Sequence, residues 1–389
     1  MRVIGLMSGT SYDAIDAAAA DLWLEGDTLV MAPLGMVSRP YPDDLRAAIA
    51  AALPPAGTSM EQVCRLDTGI GQAFAELAER ANEELCDGRA DVVASHGQTV
   101  FHWVAGDQVR GTLQIGQPSW IAERTGCTVI SDFRPRDVTA GGQGAPLVSA
   151  FDVLWLRGRP GTCVALNLGG IANITVAGGG EPIAFDTGPA NALIDAAVHR
   201  HTAGAMSFDR DGALAAAGTV DTALLTRLLT EPYYVRPAPK TTGKELFTTD
   251  YVTRMSSGLP STAGCDVIAT LTALTARSVA TAVRGTGATE VIASGGGTLN
   301  PTLMGMLREE LAEVRMLTSK ELGVPSAAKE AYAFAVLGFL TTHGLPGTIP
   351  SCTGARHSSV LGSLTPGRDG LPRCQPGAVM PTKLRIAAP

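Results

Sequence analysis

The sequence predicts a two-domain α/β protein in which one structural plan is used twice. Three observations carry this expectation. The chain has 389 residues, more than one hydrophobic core usually organises. Short apolar runs of strand length alternate with longer stretches of helical period. A strand–glycine turn–strand unit at residues 2–24 recurs at residues 163–176, one opening each half.

Composition narrows the function classes. Hydrophobic residues make up 45% and charged residues 17%, the balance of a well-cored globular protein. The net charge is −7 and no Lys/Arg-dense run occurs, so nucleic acid is not an expected partner. The seven cysteines are scattered, odd in number and without a CxxC pair, as in reduced cytoplasmic proteins. The six histidines form no metal-ligand pattern. Met1–Met7 is too short and too soon interrupted for a secretory signal. No apolar run reaches the length of a membrane span. The expectation is a cytoplasmic protein with neither membrane nor nucleic-acid partners.

The first domain is assigned to residues 1–150. Arg2–Met7 is a buried strand that breaks at Ser8-Gly9-Thr10-Ser11-Tyr12-Asp13. Ala14, Ile15 and Asp16 lead into the next strand, around Leu22–Leu24. Gly26-Asp27 turns the chain into a third, Leu29–Met31. The loop lacks GK[ST] and no helix follows it, so it is not a Walker A loop. It still offers backbone N–H groups, hydroxyls and two carboxylates. Such a turn can cradle phosphate, while Asp13 and Asp16 could hold a hydrated Mg2+; an ordinary polar hairpin is the alternative. Residues 43–53 and 60–87 have helical period, with Leu66, Ile70, Phe74 and Leu77 on one face. The strand at 91–94 ends in Ser95-His96-Gly97-Gln98-Thr99, where open α/β sheets place ligands. Thr99 and Gln98 read as ligand hydrogen-bonders; His96 reads as a base or a satisfied structural histidine. A short strand at 112–115, a helix at 118–125 and a strand at 128–131 follow. Asp132, Arg134, Arg136 and Asp137 then precede the glycine loop Gly141-Gly142-Gln143-Gly144. Paired arginines there could orient a carboxylate or phosphate bidentately, or form a surface ion network.

Residues 151–161 are expected to cross into a second domain, residues 160–364, leaving 365–389 as a peripheral tail. Cys163–Leu168, Gly169-Gly170 and Ile171–Val176, including Asn173, repeat the opening hairpin. Ile183–Asn191 closes the unit: a strand end, a turn at Gly188, and Pro189 at the first position of a helix. This would put Asp186 just outside the positive end of that helix, as a cap or as a general base. Lys240–Glu245 is a basic, hydroxyl-bearing loop, solvated or substrate-facing. A strand at 290–293 ends in Gly295-Gly296-Gly297 before Asn300-Pro301 and a helix, a turn that lets a flat ring or phosphate approach the backbone. Residues 327–343 form an apolar helix that carries Lys329 and Glu330.

These loops, taken in order, resemble the anhydro-N-acetylmuramic acid kinase family over nearly the whole chain. The motifs are Gly5–Asp13, Ser95–Thr99, Asp132–Pro146, Asn167–Asn173, Phe185–Asn191, Ser294–Pro301 and Lys329–Ala331. The resemblance implies the sugar kinase/Hsp70/actin superfamily. Its members have two ribonuclease-H-like domains, each with a mixed five-stranded sheet, and ATP in the cleft between them. It implies that ATP and water convert 1,6-anhydro-N-acetylmuramic acid to N-acetylmuramic acid 6-phosphate in peptidoglycan recycling, with Mg2+ as cofactor and a homodimer allowed. By the same resemblance Asp186 is the catalytic base. Gly9, Thr10, Ser11, Tyr12, Asp13, Ala14, Ile15 and Asp16 form the ATP phosphate loop, with Mg2+ held by Asp13 through water. Gly169, Gly170, Asn173, Gly295, Gly296, Gly297 and Asn300 complete the nucleotide site. Thr99, Asp132, Arg134, Gln143 and Glu330 bind the sugar and its lactyl carboxylate. The family pattern has glycine where this chain has Ala14 and Ala190. A positive φ there would cost alanine roughly 1 kcal/mol. Two rival readings are a non-catalytic ATP- or muropeptide-binding regulator and a chaperone-type ATPase.

Overall fold

A computed structural model describes residues 1–106, 108–243, 246–258, 264–372 and 379–387. The chain divides into two compact units. The first comprises Met1–Gly158 together with Ala328–Pro389, and the second is Arg159–Ala327.

The first unit opens with β1 (Arg2–Met7), β2 (Ala14–Glu25) and β3 (Thr28–Pro40). Then come α1 (Asp43–Ala52), α2 (Met60–Cys86), β4 (Val92–Ser95), and a hairpin of β5 (Gln98–Ala105) and β6 (Gln108–Ile115). It continues with α3 (Pro118–Thr125), β7 (Thr128–Ser131), α4 (Phe133–Thr139) and α5 (Ser149–Arg157). β1, β2 and β3 form an antiparallel meander; β4 is parallel to β1, and β7 to β4. The strand order β3-β2-β1-β4-β7 puts the loops after β1, β4 and β7 at one edge, where the parallel strands end and ligands collect.

The second unit contains β8 (Cys163–Leu168), β9 (Ile171–Ala177), β10 (Ile183–Pro189), α6 (Asn191–His201), α7 (Ala213–Ala217), α8 (Thr222–Leu228) and α9 (Thr249–Ser256). After these come α10 (Gly264–Gly285), β11 (Glu290–Ser294), α11 (Pro301–Glu310) and β12 (Arg315–Thr318). Its sheet runs β10-β9-β8-β11-β12, an antiparallel meander followed by two parallel strands. This is the plan of the first unit again, so the duplicated ribonuclease-H-like architecture is present. α10 matches a membrane-crossing helix in length and hydropathy, contrary to the expectation that no such run exists. Most of it is buried as the central helix of this unit.

The chain then returns to the first unit with α12 (Lys329–Thr342), α13 (Pro350–Thr353), β13 (Ser363–Thr365) and β14 (Lys383–Ile386). This differs from the expected assignment of residues up to 364 to the second domain. The reason lies in α12, whose residues from Ala331 to Thr342 are all buried. A helix apolar all round needs cover on every side, and it packs on the first sheet. A Cβ on Gly5 would overlap the Ala331 carbonyl, and one on Gly338 would lie 2.6 Å from the Ala94 Cβ. Ile4 and Leu6 alternate to the opposite face, against Ile70, Phe74 and Leu77 of α2. The tail is not peripheral either: β14 pairs with β3 and β13 with β7. The first sheet therefore has seven strands rather than five.

Two local expectations need correction, and one stretch gains a structure. The strand expected at 112–115 is the end of the longer β5–β6 hairpin. The Asp132–Asp137 stretch, given no secondary structure from the sequence, is mostly α4. Pro189 ends β10 instead of starting a helix, and α6 begins at Asn191.

Candidate active site

In the first unit the loop Ser8–Asp13 joins β1 to β2. The Tyr12 N–H closes a turn onto the Gly9 carbonyl (3.1 Å), with Tyr12 at φ 44°. Thr10, Ser11 and Asp13 are exposed, while Ile15 is buried in the core and offers the loop only its backbone. Gln98 supports the turn from beneath. Its Oε1 accepts from the hydroxyls of Ser8 (2.8 Å) and Tyr41 (3.2 Å), and its Nε2 donates to the Gly9 and Thr99 carbonyls. Gln98 is fully buried, so this amide is a strut for the loop rather than the ligand group expected. Ala14 is the first residue of β2, paired with Pro40, and its backbone is not left-handed. The feared cost of replacing glycine there does not arise. Asp13 is bridged by Arg46 at 2.9 Å. Asp16 is half-buried, and burial raises its carboxyl above the usual range against the opposing pull of Ser38.

The sugar candidates of this unit lie at the ends of β4 and β7 and on α12. Arg134 donates through Nε to His96 Nε2 (2.9 Å) and through Nη1 to the Gly144 carbonyl (2.7 Å). Burial pushes the guanidinium down to about 10, with Glu330 and Asp137 opposing the shift. His96 Nδ1 lies 2.8 Å from the Gly97 carbonyl and so carries the proton, leaving Nε2 to accept from Arg134. Burial first, then Arg134, hold this imidazole well below its usual value. It is a neutral orienter of Arg134, which decides against the base reading. Glu330, in the first turn of α12, has its carboxyl raised by burial. Lys329 and Arg134 oppose that shift and Asp16 adds to it, so these charges share one neighbourhood. Thr99 Oγ1 accepts from Gln114 Nε2 at 3.1 Å. Gln143 is tied through its backbone N–H to the Thr353 carbonyl (2.8 Å). Asp132 stands exposed at φ 53°, ahead of α4.

Asp137 was not among the expected site residues, yet the glycine loop is built on it. Its Oδ2 accepts from the Gly144 N–H and its Oδ1 from the Thr353 hydroxyl, both at 2.7 Å. A Cβ on Gly142 would overlap its carboxylate. The polar run Ser351–His357 is the sequence signal that could have found Thr353, although it does not say where the run docks.

In the second unit, Asn167, Asn173 and Asp186 are register partners across β8, β9 and β10. They make a half-buried polar row. Asp186 sits where the β10 register shifts before Gly188 (φ 146°). It does not cap α6: the cap position is Ala190, with no side-chain bond. Nor is the start of α6 open to an anion. The N–H groups of Ala190 and Ala192 bond the Gly170 carbonyl, and that of Asn191 bonds the Gly169 carbonyl. The Gly169–Gly170 turn thus receives this helix start. Asp186 Oδ2 accepts instead from the backbone N–H of Thr242 (2.9 Å). Ala190 has φ −119°, so the second alanine-for-glycine position carries no left-handed penalty.

The triple glycine folds back over the β8 end. At Gly295 (φ 87°) a Cβ would stand 2.6 Å from Asn167 Oδ1, and at Gly297 one would stand 2.7 Å from the Leu168 Cβ. Gly296 is exposed. Asn300 is buried and caps α11, its Oδ1 accepting from the Leu303 N–H (3.0 Å). Among the described residues no group of three or more His, Cys, Asp or Glu is arranged to hold a metal ion.

A model of the family described as anhydro-N-acetylmuramic acid kinase matches residues 1–367. The chain belongs to that family. Among its curated relatives, all named anhydro-N-acetylmuramic acid kinase, that of Rhodococcus erythropolis is 66% identical over 396 residues, spanning 100% of both chains. That of Streptomyces avermitilis is 68% identical over 371 residues, 95% of this chain and 96% of the relative. One from Caldanaerobacter subterraneus is 39% identical across 93% of this chain and 96% of its own. Among solved structures, an activator of 2-hydroxyisocaproyl-CoA dehydratase from Clostridium difficile with bound ADPNP aligns at TM-score 0.42 and 11% identity, covering 87% of this chain and 94% of its own. A ROK family glucokinase from Streptomyces griseus with glucose and AMPPNP aligns at 0.40 and 13%, covering 87% and 99%. Likenesses this loose carry no weight for the site. For this member of the kinase family, the candidate groups of each unit rest on the loops at that unit's own strand ends.

Proposed function

We propose that this chain is an ATP-dependent kinase that converts 1,6-anhydro-N-acetylmuramic acid and water to N-acetylmuramic acid 6-phosphate and ADP. The observation that carries this is a match to the kinase family over residues 1–367, with named relatives 61–68% identical. In this reading Asp186 takes a proton from water as the water oxygen bonds to C1. The C1–O6 bond breaks, and O6 forms a bond to the γ-phosphorus as the ADP oxygen leaves. Such transfers need positioning and charge stabilisation more than covalent chemistry. The backbone of Gly9–Asp16 cradles the phosphates, with Gly169, Gly170 and Asn173. Gly295–Gly297 lets the adenosine approach, and Asn300 acts by fixing the start of α11.

On the sugar side, Arg134 meets the lactyl carboxylate. It is turned by neutral His96 and lies in a field shared with Glu330. Thr99, Asp132 and Gln143 supply further hydrogen bonds. Mg2+ fits as an ion that keeps most of its waters and arrives with the nucleotide. The exposed carboxylate of Asp13, bridged by Arg46, suits a water-mediated contact, and no carboxylate cage exists among the described residues. When bound, the ion would neutralise charge on the phosphates. We place the reaction in the cytoplasm, in cell-wall recycling, with a homodimer as the assembly to test by light scattering.

The regulator reading is not favoured, because the relatives are named as kinases over essentially their full length. Purified protein with ATP and Mg2+ is expected to release ADP only when the anhydro sugar is added. Sugar-independent ATP hydrolysis at the same rate would remove this reading.

A further inference from the structure

The segment Lys240–Thr242 has no role in the reaction as described so far; Lys244 and Glu245 of the same motif lie outside the described residues. We infer that this segment is a clamp that positions Asp186, with the Lys240 ammonium as its anchor, an inference that rests on Asp186 being the base.

Asp186 is held at no fewer than three points. Its N–H donates to the Lys240 carbonyl (3.0 Å), and its own carbonyl accepts from the Tyr233 hydroxyl (2.8 Å). Its Oδ2 accepts from the Thr242 N–H (2.9 Å). Residues 240 and 242 thus flank Asp186 as a neighbouring strand would, although the segment belongs to no strand. A stretch containing Pro237 and Pro239 cannot order itself by a ladder, because those residues have no N–H to give. Its order comes from Lys240. The ammonium donates to the carbonyls of Tyr233 (3.1 Å) and Tyr234 (2.9 Å). It lies 4.8 Å from the Tyr233 ring centroid and 5.9 Å from that of Phe185, within cation–π range. One side chain therefore ties the clamp to the turn Pro232–Val235 and to β10 at once.

The turn in question is itself seated against the base. Tyr233 is fully buried, and the Tyr234 ring stacks on Phe247 at 6.0 Å. A Cβ on Gly188 would stand 2.7 Å from the Tyr234 ring. The glycine two residues after Asp186 is therefore what lets this tyrosine pair close on the turn. A hydrogen bond to Oδ2 from a backbone N–H fixes the plane of the carboxylate, and errors well under 1 Å matter for a group that must meet an attacking water. The ammonium has two donors committed to protein carbonyls, so Lys240 is a positioning residue, acting through Asp186.

The test is a cycle of variants with kcat and both KM values measured. Lys240→Met keeps the apolar stem and removes the charge. It is expected to lower kcat by about 10- to 100-fold with KM for ATP and for the sugar nearly unchanged, and Lys240→Arg is expected to restore most of the loss. In an Asp186→Asn background, Lys240→Met is expected to cost nothing further. Should Lys240→Met fail to fold by circular dichroism, Tyr233→Phe, which removes one hydroxyl, decides by the same kcat criterion. Wild-type kcat in the folded variant, or a loss that appears in KM for the sugar, overturns the clamp. If Asp186→Asn is inactive while Lys240→Met keeps wild-type kcat, only the clamp falls. If Asp186→Asn itself keeps wild-type kcat, the base reading falls, and the clamp with it.

Discussion

Asp186 shows how far one residue can be read from its neighbours. Gly188 and Pro189 suggest a helix start, and a helix start suggests a cap. In the fold the chain stays extended through Pro189, and the carboxylate joins Asn167 and Asn173 in a row across three strands. That row depends on register, which no local pattern of residues reveals. His96 is a second case: its burial and its bond to Arg134 come from packing against Phe334 of α12, almost 240 residues away. Glu330 permits a test at this scale. Burial raises its carboxyl in the folded chain. A carboxyl raised on folding contributes full stability below the ordinary glutamate range, and that contribution is lost as pH climbs through the raised value. At pH 8 the burial of this carboxyl is a cost that Glu330→Gln removes. That variant is expected to melt at a higher temperature than wild type at pH 8, by about 2 °C or more, and at the same temperature below the glutamate range. Its KM for the sugar is expected to rise at least about tenfold. A lower melting temperature at pH 8 would show instead that pairing with Arg134 and Lys329 outweighs the burial.

Elements with strong internal pattern were legible. The β1–β2 and β8–β9 hairpins announce themselves by apolar runs around glycine turns, and α2 by a helical stripe, which in the fold starts at a Ser59 capping box. Elements defined by what they complete were not. β13 and β14 are three and four residues long, and their strand character comes from the edges of β7 and β3. The β5–β6 hairpin leaves Phe101 and Trp103 about half exposed, so it lacks the buried alternation that marks a strand. β14 supplies the stability test for the tail. Leu384 is 3% exposed, and Leu384→Ala is expected to cost about 2–4 kcal/mol of unfolding free energy by urea denaturation. A cost near zero would return residues 383–386 to the periphery.

At the scale of the whole molecule, one strand order appears twice and the chain begins and ends in the same unit. The return of α12 to the first unit was hidden from the sequence because an apolar helix does not say which sheet it covers. It brings Glu330 into the field of Arg134 and Asp16. Each unit then presents polar groups near its strand ends, the Gly9–Asp16 loop with Arg134 and Glu330 in the first, Asp186 and the glycine turns in the second. The central claim is that one catalytic event uses water to open the anhydro bridge and ATP to phosphorylate the freed O6. The direct measurement is turnover in 18O-labelled water, with the products resolved by mass spectrometry. The label is expected in the C1 hydroxyl of the sugar phosphate, one atom per ADP formed, and not in the phosphoryl group. Label in inorganic phosphate or in the transferred phosphoryl group, with none at C1, would contradict the account.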